Sequence, residues 1–192
     1  MLVGERASFP LAEKLRQPGG APLADVFSFL SGLYFRGKLA CARAFSRPPP
    51  GVPGLRVITS SRGLLPAETP VTVRCLREFA AVPIDVEESR FRNPLARDAL
   101  SLASKAGEGC EFVLLGSIAT PKYVDVLREA LGDRIRFPEA FVGRGDMSRG
   151  GLMLRCVDDR RELTYAPLKG GLRRGPRPPR LEPRRAPAAN AL

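Results

Sequence analysis

With no histidine anywhere in its 192 residues, this chain leaves acid–base or nucleophilic chemistry to Asp, Glu, Lys, Tyr, Ser or Cys, and histidine triads and histidine metal sites are excluded. Two short stretches carry the residue types suited to holding an anion. Ser60, Ser61, Arg62 and Gly63 follow one apolar run, and Gly116, Ser117, Thr120 and Lys122 follow another. Hydroxyls, glycine amides and a cation at the end of a strand make a phosphate cradle. A third stretch, Phe141 to Arg149, sets Arg144 and Arg149 among glycines, where they would close over an anionic ligand, with Asp146 between them as an acid or base. Glu68 is a second candidate carboxylate, and Arg36 and Lys38 are candidate electrostatic partners for either. Each motif has a plainer counterpart: Ser and Gly are ordinary turn formers, and a charged glycine loop is commonly a solvated loop with a local ion pair.

The elements that must position these residues follow from periodicity. Leu55 to Thr59 reads as a strand, and Phe112 to Leu115 is an apolar run of strand rather than helix length. Thr120-Pro121 then opens a helix, Thr as N-cap and Pro where the first amide is unpaired anyway. Val124, Leu127 and Leu131 continue it at helical spacing, and Gly132 stops it. In open α/β sheets ligands lie at the carboxyl ends of strands, so both Ser-Gly loops would face one cleft. Residues 22–45 carry an apolar helical face, with Gly32 dividing it into two helices. Residues 68–85 fit helix or strand equally, and Pro94 to Ser104 fits a helix. Ile135 to Phe137 reads as a short strand, and residues 152–166 as a C-terminal β-hairpin. Tyr34 and Tyr123 fall on amphipathic helices, where packing is the commoner role.

The chain is long enough for one domain with a proper core. Its boundaries read as a loose N-terminal arm (1–21), one α/β domain (22–168) and a disordered tail rich in Pro and Arg (169–192). The net charge is +11, and from Lys169 onward seven basic side chains meet one acidic, so the tail carries +6 of it. Such a balance attracts phosphate polyanions. Arginine outnumbers lysine 26 to five, which a GC-rich coding bias also produces without any ligand. The tail has no aromatics to stack bases. No apolar run approaches the ~18 residues of a membrane span, and the start has no secretory pattern. Four scattered cysteines without a CxxC pair then read as reduced thiols in a bacterial cytoplasm. The RGD tripeptide at 144–146 is, in that compartment, a coincidence. Neither a metal nor a cofactor is called for.

The order of the pieces resembles a loose group of small bacterial and phage α/β domains of unknown function. That group is related to the peroxide-stress protein family and to the accessory domain of archaeosine synthase. The matching positions are Leu33, Phe35 and Arg36 in a helix, Ser60, Gly63, Leu64 and Pro66 in a loop, and Gly116, Tyr123 and Leu127 in the later strand–loop–helix. The likeness covers roughly residues 22 to 131, and residues 1–21 have no counterpart to the strand and Cys- or Lys-containing loop with which those families begin. It implies an α/β sheet and a role with nucleobases or nucleic acids.

The expectation is therefore an α/β fold, a mostly parallel sheet flanked by helices, with a C-terminal hairpin and a disordered basic tail. The expected activity is binding of a nucleotide or nucleic acid through a phosphate-binding cleft at the strand ends. The alternatives are an enzyme acting on a nucleoside or nucleobase through a carboxylate, and a scaffold recruiting a partner through its basic tail.

Overall fold

The computed structural model describes residues 2, 4, 7–118, 121–172 and 174–183. The first helix, α1 (Pro10–Arg16), starts with proline at its first position and turns Ala12 and Leu15 fully inward. It leads to β1 (Ala21–Pro22) and then to the long α2 (Leu23–Phe45). Residues 10–22 are thus packed, where a loose arm was expected. The sequence divides α2 at Gly32, and the structure does so: Gly32 takes φ 53 and ψ −131, which kinks the helix.

The middle of the chain departs from a parallel sheet. β2 (Val57–Ile58) pairs antiparallel with β3 (Leu64–Leu65). A parallel partner needs a crossover of a dozen or more residues, whereas a short loop returns the chain as a hairpin. The loop here is pinned by Thr59, whose amide (2.9 Å) and hydroxyl (3.1 Å) both donate to the Gly63 carbonyl. β4 (Pro70–Val71) pairs antiparallel with β1, and α3 (Val73–Ala80) follows, so the ambiguous 68–85 segment holds both a strand and a helix. Next comes α4 (Ser89–Ala106), which begins well before Pro94. The proline sits near the N-terminal end, where it removes only one helical hydrogen bond.

β5 (Phe112–Val113) and α5 (Pro121–Leu131) form the expected strand–loop–helix. β6 (Ile135–Pro138) lies parallel to β5 and antiparallel to β7 (Tyr165–Pro167). Among the described residues β5–β6 is the one parallel pair, so the fold is mixed α/β with six helices and three small sheets, and a mostly parallel sheet is not what forms.

The expected hairpin over 152–166 is also replaced. Asp146–Asp158 is a helix, α6, and of the predicted arms only the second survives, as β7. Gly150 and Gly151 disfavour a helix interior by about 1 kcal/mol each, which hid α6 in the sequence. Gly150 has a packing reason to be there. A Cβ on it would lie 2.7 Å from the Leu33 carbonyl oxygen, and one on Gly37 would lie 2.7 Å from the Gly150 carbonyl oxygen. The two backbones therefore touch with no side chain between them, the close approach that small residues permit. The helices run in the same direction, since Gly37 meets Gly150 at one end and Arg47 pairs with Glu162 beyond the other at 3.0 Å.

Three apolar clusters hold this arrangement. Phe91, Leu95, Val124, Leu127, Ile135 and Phe137 join α4, α5 and β6. Leu15, Leu23, Val26, Val71 and Leu76 join the N-terminal elements to α3. Tyr34, Cys41, Phe141 and Met153 lie between α2 and α6. Residues 169–172 and 174–183 have neither helix nor strand, yet they touch the body: Arg144 donates to the Pro179 carbonyl at 3.3 Å, and Arg155 to that of Glu182. The described part of the expected disordered tail makes these contacts without regular structure, and residues 184–192 of it lie outside the described residues.

Candidate functional site

A cleft of about 1360 Å³ opens between α2, the segment 48–59, the end of β5 and the start of α6. That is at or above the upper end for small-molecule sites and is lined mostly by apolar side chains, as such sites are. Its polar groups include Tyr34 and Lys38 on α2, Thr59 after β2, Gly116 and Ser117 after β5, Tyr123 on α5 and Asp146 at the first position of α6, and Arg47, Arg56, Glu111 and Glu162 bring further charges to its lining.

The α2–α6 glycine contact explains the convergence. Tyr34 and Lys38 lie one turn apart on α2, either side of Gly37's crossing with Gly150. Tyr34 is buried, and its hydroxyl donates to the Leu115 carbonyl at 3.3 Å, tying α2 to the end of β5. Burial pushes its pKa up, with the Arg149 guanidinium opposing that, so the phenol stays protonated. Burial likewise raises Tyr123, and the Asp146 charge adds to this.

Lys38 is strongly perturbed by its place in the cleft wall. Its Nζ stands 3.8 Å above the centre of the Tyr34 ring, and no carboxylate lies within 4.0 Å of it among the described residues. Burial pulls its pKa from 10.5 down to about 8, Asp146 opposing the shift and Arg149 adding to it. The ammonium is held by a ring face and by field, with hydrogen-bonding capacity left for a ligand.

Arg149 stands behind this group. Only 7% exposed, it donates through Nε (3.2 Å) and Nη2 (3.0 Å) to the Phe141 carbonyl, and its Nη1 is 3.6 Å from Asp146. It is a buried strut, where the sequence suggested a flexible clamp. Arg144 is half-buried and turned to Ser148 (3.2 Å) and the tail. Neither arginine lines the cleft.

The first predicted loop is consumed internally. Ser60 is buried and donates to the Phe79 carbonyl at 2.6 Å, and Arg62 forms a two-pronged pair with Glu78 at 2.6 and 3.2 Å. That pair holds the Glu78 carboxyl below its ordinary range. Gly63, at φ +63, packs its backbone on α4, where a Cβ would collide with the Asp98 carboxylate and lie 2.5 Å from the Pro94 carbonyl. Asp98 also accepts from the Leu64 amide at 2.9 Å. Ser61 Oγ is buried without a partner among the described residues. Thr59, just before the loop, reaches the cleft, and residues 60–63 do not.

Of the second loop, Gly116 and Ser117 line the cleft, Lys122 is exposed on α5 away from it, and Thr120 lies outside the described residues. Among the catalytic candidates, Lys38 and Asp146 line one wall. Glu68 is on the surface, paired with Arg43 at 3.2 Å, and Arg36 points to solvent. Sequence reasoning left Tyr34 and Tyr123 as packing residues. The signal that could have moved them was the Tyr34–Lys38 spacing, one helical turn on a face that also bears Gly37.

No disulfide joins the four cysteines. No group of three or more metal-ligating side chains occurs among the described residues, and no helix there is long and apolar enough to cross a membrane. No protein-family model, curated protein or solved structure matches the chain.

Proposed function

We propose that this protein binds a nucleotide, or a short stretch of nucleic acid, in the cleft between α2 and the β5–α5 loop. One observation carries the reading: Lys38, a half-buried ammonium with no carboxylate within 4.0 Å among the described residues, on the wall of a mostly apolar cleft. A group of that kind takes an anion, and the apolar walls take a base or sugar. Gly116 and Ser117 supply amides and a hydroxyl beside it. The overall charge of +11 favours the approach of any polyanion.

The test is calorimetric titration of mono- and oligonucleotides into the full chain at several salt concentrations. Lys38→Ala is expected to weaken binding about tenfold, the worth of one charge-assisted contact. A variant with Arg177, Arg180, Arg184 and Arg185 changed to Gln is expected to lower the salt slope and to leave mononucleotide affinity within about twofold. Affinity that vanishes with the tail charges and ignores Lys38 would overturn the cleft reading. A second reading, an enzyme acting on a nucleoside or nucleobase, is favoured by Asp146 beside Lys38, a carboxylate and an amine whose fields reach one another. It expects Asp146→Asn to lose turnover while keeping ligand affinity.

A further inference from the structure

We infer that Lys38 is an amine nucleophile, and that the cleft takes aldehydes or ketones as a reversible imine on its Nζ. The inference rests on the same cleft as the binding reading and goes beyond it, because an anion asks for a charged lysine and an imine asks for a neutral one.

The geometry has three parts. The Nζ is 3.8 Å above the Tyr34 ring with no carboxylate within 4.0 Å among the described residues, so no ion pair holds it in the charged form. The cleft as a whole is lined mainly by apolar side chains, which favours loss of water over hydration. Asp146 lines the same cleft, close enough for its charge to act on Lys38, and can carry a proton between nitrogen and oxygen. Burial supplies a fourth part, since an amine lowered to about 8 has a usable neutral fraction near neutral pH. The other lysines, Lys14, Lys105, Lys122 and Lys169, are exposed.

The step balances without a further reactant. The Nζ lone pair attacks the carbonyl carbon, the C=O π pair moves to oxygen, and oxygen gains the proton that nitrogen loses. The carbinolamine hydroxyl then takes up the proton that the ammonium released on becoming an amine, carried by Asp146, and departs as water, the remaining nitrogen pair forming the C=N bond. The resulting iminium is a cation, and the Tyr34 ring face beneath it stabilises that charge as it does the ammonium.

The experiment treats the full chain with pyridoxal 5′-phosphate and sodium cyanoborohydride near neutral pH, and maps the reduced adducts by peptide mass spectrometry. Lys38 is expected to be labelled about tenfold or more faster than each of the four exposed lysines, as an amine without an ion pair in a largely apolar cleft should be. In Lys38→Arg, checked for folding by circular dichroism, the fast phase should vanish. Equal labelling of all five lysines, or a fast phase that survives Lys38→Arg, would overturn the inference. Titrating adenosine 5′-monophosphate separates the two readings. Fast labelling at Lys38 without nucleotide binding keeps the imine and removes the nucleotide, whereas nucleotide binding without fast labelling at Lys38 removes the imine alone.

Discussion

Two loops of this molecule, Ser60–Gly63 and Gly116–Ser117, look alike in sequence and do opposite things. Each follows an apolar run and offers hydroxyl and glycine near a cation. In the first, the groups are tied to neighbouring elements: Ser60 to the Phe79 carbonyl, Arg62 to Glu78 in a partly exposed pair, and Gly63 against α4. In the second, the groups stand at the rim of a cleft. The difference is made by what lies opposite. α3 and α4 cover the first loop, whereas α2 passes the second at the distance of a tyrosine hydroxyl and leaves a gap beside it. A strand-end loop becomes a ligand site only where the neighbouring element stops short.

The sharpest way to break the comparison is steric. Gly63→Val places a β-branched residue at φ +63 and against the Asp98 carboxylate. It is expected to cost about 2–4 kcal/mol in urea denaturation, from backbone strain plus overpacking. Gly116→Ala, whose Cβ would meet only the Leu114 side chain at 3.2 Å, is expected to cost less than about 1 kcal/mol. Equal costs would mean that the second loop is as enclosed as the first.

Next in size is the helix contact that creates the gap. Gly150→Val drives a side chain into the Leu33 carbonyl and the Tyr34 backbone. A loss of about 2–3 kcal/mol is expected, and any cleft ligand should lose affinity with it, whereas Gly151→Ala, with only the Leu181 side chain 3.6 Å away, should do neither.

The pH dependence sharpens the comparison from the second loop's side. Lys38 is lowered from 10.5 to about 8 in the folded chain, so between those values the unfolded chain holds a proton that the folded one has released. Stability therefore rises with pH from about 8 to about 10.5 and this contribution is flat below 8. Lys38→Met should remove that rise, measured as the urea midpoint against pH. Anion affinity should run the other way, falling as pH passes up through about 8 and the ammonium is lost. The charges acting on Lys38 are those of Asp146 and Arg149 on α6, and burial raises both nearby tyrosines, Tyr34 on α2 and Tyr123 on α5. The smallest effect belongs to the first loop. Arg62→Gln breaks a partly exposed pair with Glu78 and should cost less than about 1 kcal/mol in the same denaturation measurement.

Much of the scaffold was legible because it is local. The break at Gly32, the proline start of α5, its stop at Gly132 and the short strand at 135–138 are written in consecutive residues. The parallel sheet was misread because strand propensity in LRVIT does not name a partner, and the partner is the returning chain at Leu64–Leu65. α6 was misread because Gly150 is poor helix material taken alone and good contact material only once α2 is beside it. The site suffered the same way. Lys38 and Asp146 were both visible as candidates, but their meeting depends on that crossing, which no window of sequence contains.

The Gly37–Gly150 crossing also has a consequence in time. Its halves are separated by most of the intervening chain, and a contact of such sequence separation carries a large closure entropy and forms late. During vectorial synthesis α2 leaves the ribosome well before α6 exists. Until then the Tyr34 face of α2 has no helix to rest on, and the first cluster around Leu15, Leu23 and Val71 can close without it. The cleft between them should thus mature only once α6 has emerged, long after α2 has.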